Sequence, residues 1–145
     1  MPTDIFVNLP TADLDRAKAF YEALGATIVP EFTDENAACV RWDENVFFMI
    51  LTKEFFATFT SRPVVLGSEG AQVITALSRA SRDDVDAIRA TILEAGGGEN
   101  TEPQDHGFMY GISMTDPDGN IVELMWVDPV AAEKGPEAFS AEQGG

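Results

Sequence analysis

The chain has 145 residues, 25 acidic against 9 basic side chains, a formal net charge of −16 and one cysteine, Cys39. That length is one ordinary domain or two fused half-size modules; the charge repels phosphate backbones, excluding nucleic acid as a partner, while favouring solubility and cationic ligands. No intramolecular disulfide is possible and a reducing, cytoplasmic setting is expected; no apolar run approaches the ~18 residues of a membrane span, and residues 1–10 lack a secretory leader.

In chain order, TDIFVNL (3–9) predicts a strand that Pro10 helps to end. Asp13 is suited to cap the helix LDRAKAFYEALG, where Leu14, Ala17, Phe20, Tyr21 and Leu24 recur at helical spacing and Gly25 closes it. ATIVPEF, NAACVRW and NVFFMILT predict three strands, the last two joined as a hairpin by Asp43-Glu44-Asn45. KEFFATFT (53–60) predicts a short helix. Residues 61–70, broken by Pro63, Gly67 and Gly70, read as a linker between a first module (1–60) and a second (71–128).

The second module repeats the order. AQVITALS predicts a strand, and SRDDVDAIRATILEAGG a helix capped by Ser81 or Asp83 and ended at Gly96. A loop holding Pro103 follows, then the strand GFMYGISM, a tight turn at Asp116-Pro117-Asp118-Gly119, and the strand IVELMWV. Residues 129–145, small, polar and interrupted by Gly135 and Pro136, predict a flexible tail with at most a helical turn.

DLDRAKAFYEALG from Asp13 overlays DVDAIRATILEAG from Asp84 without a gap, and DENVFFMIL from Asp43 overlays DGNIVELMW from Asp118. Helix and final hairpin therefore recur in the same order, the mark of an internal repeat. The fold class expected is α+β, two paired βαβββ modules whose curved, half-barrel sheets border a cleft.

With that pattern in place, FVNLPTADLDRAKAFYEALGA and DPDGNIVELMW resemble the opening and the final strand of the vicinal oxygen chelate superfamily, which includes glyoxalase I, bleomycin-resistance proteins and extradiol dioxygenases. The resemblance spans residues 3 to about 127. It implies a glyoxalase-like fold, a homodimer and a small-molecule cleft. A dimer would also cover open strand edges.

In metal-using members, one position in the first and one in the last strand of each module supply His, Glu, His and Glu. Carried over, those positions fall on Phe6, Phe48, Ile74 (or Gln72 if the register slips by two) and Glu123. Only Glu123 is a donor, and one carboxylate does not hold Zn²⁺, Ni²⁺ or Fe²⁺. The expectation is a protein without a cofactor, a divalent metal being left open. It would bind or sequester a small organic molecule, cationic or aromatic, through Phe6, Asn8, Phe48, Ile74, Tyr110 and Glu123. The alternative is a lyase or isomerase of the glyoxalase type, or a metal-dependent dioxygenase, acting on a small carbonyl compound with Glu123 as base. His106, the one histidine, is either an acid–base group recruited from a loop or a surface residue. Asn8 either meets a ligand or bonds neighbouring backbone.

Overall fold

A computed structural model describes residues 2–142. The elements run β1 (Ile5–Thr11), α1 (Leu14–Ala23), β2 (Thr27–Val29), β3 (Ala37–Asp43), β4 (Val46–Thr52), α2 (Lys53–Phe56), β5 (Ile74–Ser78), α3 (Arg82–Glu94), β6 (Gly98–Asp105), β7 (Met109–Thr115), β8 (Ile121–Val127), α4 (Pro129–Lys134) and α5 (Pro136–Glu142). They build two four-stranded sheets of identical topology, β1-β4-β3-β2 and β5-β8-β7-β6. In each, the first strand lies parallel to the last and the remaining pairs are antiparallel. The sheets do not close into a barrel, and no described helix is long and apolar enough to cross a membrane.

The helices form where capping and periodicity place them. Asp13, in extended conformation, accepts a hydrogen bond from the Arg16 amide at 3.1 Å, and Ala17, Phe20 and Tyr21 form the buried face of α1. Ser81 does the same for Asp84 on α3, whose Val85, Ile88 and Ile92 are buried. Each helix ends at a glycine with positive φ, Gly25 (97°) and Gly96 (102°), the conformation a C′ residue needs. The two helices pack on one another, so both modules share one core. At its centre Tyr21 meets Phe48 and Trp42 edge to face, at 5.7 and 5.9 Å between ring centroids.

Four expectations need correction. Strand β1 continues through Pro10 to Thr11, because β1 is a sheet edge where a missing amide donor costs no ladder bond. ATIVPEF is a three-residue strand followed by a 3-10 turn at Pro30–Phe32, which Pro30 starts. The expected loop after Gly96 is instead β6, an exposed edge strand whose pairing with β7 shifts register twice, accommodating Pro103. The expected flexible tail forms α4 and α5: Asp128 caps α4 by accepting from the Val130 and Ala131 amides. Residues 143–145 of that tail lie outside the described residues.

The modules are fastened by the Asp116–Asn120 turn. Asp118, with a side chain 1% exposed, accepts from Thr11 Oγ1 (2.5 Å), the Ala12 amide (2.9 Å) and the Arg16 guanidinium (2.9 Å). Asp116 accepts from Tyr21 Oη (2.7 Å), Asn120 Nδ2 (2.9 Å) and the amides of Asp118 and Asn120. Asn120 also donates to the Pro10 carbonyl. Burial pushes the Asp116 carboxyl upward against these four donors, and it pushes the Tyr21 phenol well above its usual range, with the Asp116 charge adding to the shift. The linker is held by the same turn. Ser68 N donates to Asp118 O at 2.9 Å, and a Cβ on Gly67 would lie 2.3 Å from backbone atoms of Gly119 and Asn120.

Candidate functional site

Strand alternation gives each sheet two faces. In the first sheet Val7, Leu9, Phe48 and Ile50 turn toward the helices. Phe6, Asn8, Phe47 and Met49 therefore lie on the opposite, open face. Phe6 remains 49% exposed and stacks on Phe47 with centroids 4.7 Å apart and planes 11° from parallel. In the second sheet Leu77, Val122, Leu124, Ile112 and Met114 turn toward the helices. The open face there holds Ile74 (54% exposed), Ala76, Glu123, Gly111 and Ser113.

Phe48 is corrected. It is fully buried between Tyr21 and Trp42, and is no part of the open face. The sequence overlay of the two final hairpins is one residue out of structural register. Pairing of β3 with β4 shifts between Arg41 and Asp43, whereas β7 and β8 pair without interruption from Met109–Val127 to Thr115–Ile121. A slip of one residue moves a side chain to the other face. Through the matching parallel pairs, Asn8–Met49 and Ala76–Glu123, the position equivalent to Glu123 is Met49.

Tyr110 is corrected as well. Its ring lies on the helix side, its hydroxyl donates to Asp86 Oδ1 at 2.6 Å, and the bond to that carboxylate holds the phenol above its usual range. The Arg82 guanidinium lies over the rings of Tyr110 (5.3 Å) and Trp126 (5.1 Å) and forms a two-pronged bridge to Asp105. These residues brace the β6–β7 hairpin. His106 sits in that hairpin's turn, exposed and stacked near Phe108. It is not brought to Glu123: Ser113, the cross-strand partner of Glu123, lies four residue steps along β7 from Met109, a span of roughly 13 Å.

The four positions at which the resemblance implies metal ligands thus fall on Phe6, Met49, Ile74 and Glu123. Three lack a nitrogen or oxygen donor, so the set does not fit a divalent ion. Among the described residues no three His, Cys, Asp or Glu side chains converge as a metal site would require. Gln72, the alternative to Ile74, precedes β5 and borders the linker.

What the second open face does carry is a polar row. Asn100 Nδ2 donates to Ser113 Oγ at 3.0 Å, and Ser113 pairs with Glu123 across the strands. With Oγ accepting from Asn100, the Ser113 proton is available to a neighbour. Glu123 forms no hydrogen bond or ion pair with any described residue, Arg41 included. Asn8 donates to the Phe6 carbonyl at 3.3 Å, a local bond that leaves its Oδ1 open. Sequence reasoning missed Phe47, Met49, Ser113 and Asn100. VFFMIL is apolar at every position and gives no alternation to assign faces, and Asn100 lies in the strand read as a loop. A cavity of about 440 Å³ lies where the linker crosses the ends of β1 and β8, bordered by Asn8, Phe56, Val73 and Ile121.

Residues 4–42 match the family described as bleomycin resistance protein-like N-terminal. No curated protein matches the sequence. Solved structures with the same fold include a hypothetical protein from S. aureus at 22% identity, with a TM-score of 0.74 over 87% of this chain and 94% of that one. A glyoxalase/bleomycin resistance protein from Albidiferax ferrireducens is similar at 25% identity and TM-score 0.62, covering 83% and 95%. An antibiotic binding protein from a Streptomyces species is similar at 20% identity and TM-score 0.61, covering 88% and 98%. The chain carries the glyoxalase fold of the vicinal oxygen chelate superfamily, opened by a bleomycin-resistance-like segment.

Proposed function

We propose that this chain binds a small organic molecule without a metal, the ligand carrying an aromatic body and a cationic end. The observation that supports the reading most is the replacement of metal donors on the open faces by Phe6, Met49 and Ile74, with Glu123 the single carboxylate left. A partly exposed aromatic pair on one sheet and a carboxylate without a partner among the described residues, beside Ser113 on the other, suit opposite ends of such a molecule. The net charge of −16 favours a cation over an anion there. The fold's occurrence in an antibiotic binding protein agrees with a sequestering role.

In this reading a second copy completes the cleft. Both sheets turn their helix faces into one shared core, so each open face points away from it and leaves Phe6 and Ile74 half exposed. A symmetric dimer that sets the Phe6 face of one protomer against the Glu123 face of its partner would cover both.

The test joins three measurements: mass by light scattering, metal content of the purified protein, and thermal shift with Zn²⁺, Ni²⁺, Mn²⁺ and Fe²⁺ beside a panel of aromatic cations. The expected result is a dimer without stoichiometric metal, stabilised by aromatic cations and not by the ions. Near-stoichiometric metal would overturn it. Turnover of an α-keto hemithioacetal, lost in Glu123→Gln, would instead make the protein a lyase or isomerase with Glu123 as base.

A further inference from the structure

The geometry points to a second binding site: the linker cavity, which meets the open faces at Asn8 and Ile121 and is suited to a small apolar carboxylate. This does not depend on the open-face reading. The cavity's volume, about 440 Å³, lies within the usual range for small-ligand sites. Its lining is the reverse of the chain's overall electrostatics. In a protein with 25 acidic side chains the cavity wall contains no Asp or Glu, and its one charged residue is Arg62.

Arg62, like Arg41 and Arg79, has no carboxylate partner among the described residues, whereas Arg16, Arg82 and Arg89 are each bound to one, Asp118, Asp105 and Glu99. Arg62 lines the cavity, and its backbone amide donates to Thr60 Oγ1 at 3.1 Å. Gln72 lines the same cavity. A planar carboxylate matches the guanidinium fork with two parallel hydrogen bonds. Behind these polar groups the wall is apolar: Phe56, Val64, Val65, Val73 and Ile121, of which Val65 and Val73 are 47% and 48% exposed. A ligand body would remove those surfaces from water, the main source of affinity for such a molecule.

The linker is also held in place before any ligand arrives. Ser68 N is bonded to Asp118 O, and Gly67 backs directly onto Gly119, where no Cβ fits. A preformed wall spares the ligand the ordering cost of a loop.

The experiment uses the full chain, isotope-labelled, with benzoate as probe and benzamide as its neutral counterpart. Benzoate is expected to shift the amides of Val64, Val65 and Val73 saturably, with benzamide much weaker. Arg62→Gln is expected to weaken benzoate by about tenfold, the loss of one charge-assisted contact. Lys134→Gln removes the same charge from α4, outside the cavity wall, and is expected to leave binding unchanged. The proposal is overturned by absence of saturable shifts at millimolar benzoate, by equal effects of the two substitutions, or by shifts confined to Ser113 and Glu123. None of these outcomes bears on whether aromatic cations bind the open faces.

Discussion

The two sheets have the same strand order, the same parallel closing pair and a helix on the same side, yet their open faces differ in kind. The first presents stacked Phe6 and Phe47 with Met49. The second presents Glu123, Ser113 and Asn100 with the small residues Ala76 and Gly111. Their helix faces are chemically alike, both aliphatic and aromatic. Packing restrains one side of each sheet because that side is shared by both modules, and leaves the other side free to diverge. The duplication therefore fixes a scaffold and says little about the site.

The largest effect that would break this account is at adjacent residues of β4. Phe48→Ala empties a fully buried ring site and is expected to cost about 3–5 kcal/mol. Phe47→Ala, on the open face, is expected to cost far less. Urea denaturation of both variants checks this, and equal losses would mean the faces are assigned wrongly. Next comes the fastening between the modules. Asp118→Ala removes the acceptor of three donors, leaving the Arg16 guanidinium without its carboxylate and the Thr11 hydroxyl with Asp13 alone, at an expected cost of about 3 kcal/mol by the same measurement. A loss under about 1 kcal/mol, the scale of an exposed ion pair, would show the contact to be ornamental.

Glu123→Gln sharpens the contrast between the open faces. Stability is expected to stay within about 0.5 kcal/mol, as for a side chain without a protein partner. Thermal shifts by aromatic cations are expected to shrink, and unchanged shifts would place the cation elsewhere. The smallest effect concerns Asp105, held down at about 2 by its hydrogen bonds from Arg82 and the Gly107 amide. A carboxylate depressed on folding contributes stability that is present above its ordinary value, near 3.8, and is lost as pH falls through its folded value. The β6–β7 hairpin is thus expected to keep its Arg82 brace down to about pH 2 by NMR titration. In Arg82→Gln the Asp105 midpoint is expected to rise toward the ordinary value; a midpoint that does not move would assign the shift to the Gly107 amide alone.

Much of the fold was legible because its signals are local. Asp13, Ser81, Gly25 and Gly96 mark helix ends through side-chain capping and positive φ, which one sequence reveals. The repeat then supplied the pairing of modules. What was illegible depended on distant partners. GENTEPQD has no apolar side to bury and becomes a strand only because β7 offers it an edge. Phe47 and Phe48 are the same residue type side by side, and only the irregular pairing at Arg41–Asp43 decides which one meets Tyr21. Arg62 looked like a linker residue and nothing more, since the wall around it is assembled from segments separated by many residues.

The Asp116–Asn120 turn also bears on how the molecule comes apart. The Tyr21 hydroxyl and the Arg16 guanidinium find their hydrogen-bond partners in the other half of the chain, and the Pro10 carbonyl finds its Asn120 side-chain amide there. Neither half owns a complete set of its own contacts. A chain that looks like two domains in tandem is accordingly expected to melt as one, with a single calorimetric peak whose enthalpy matches the whole length.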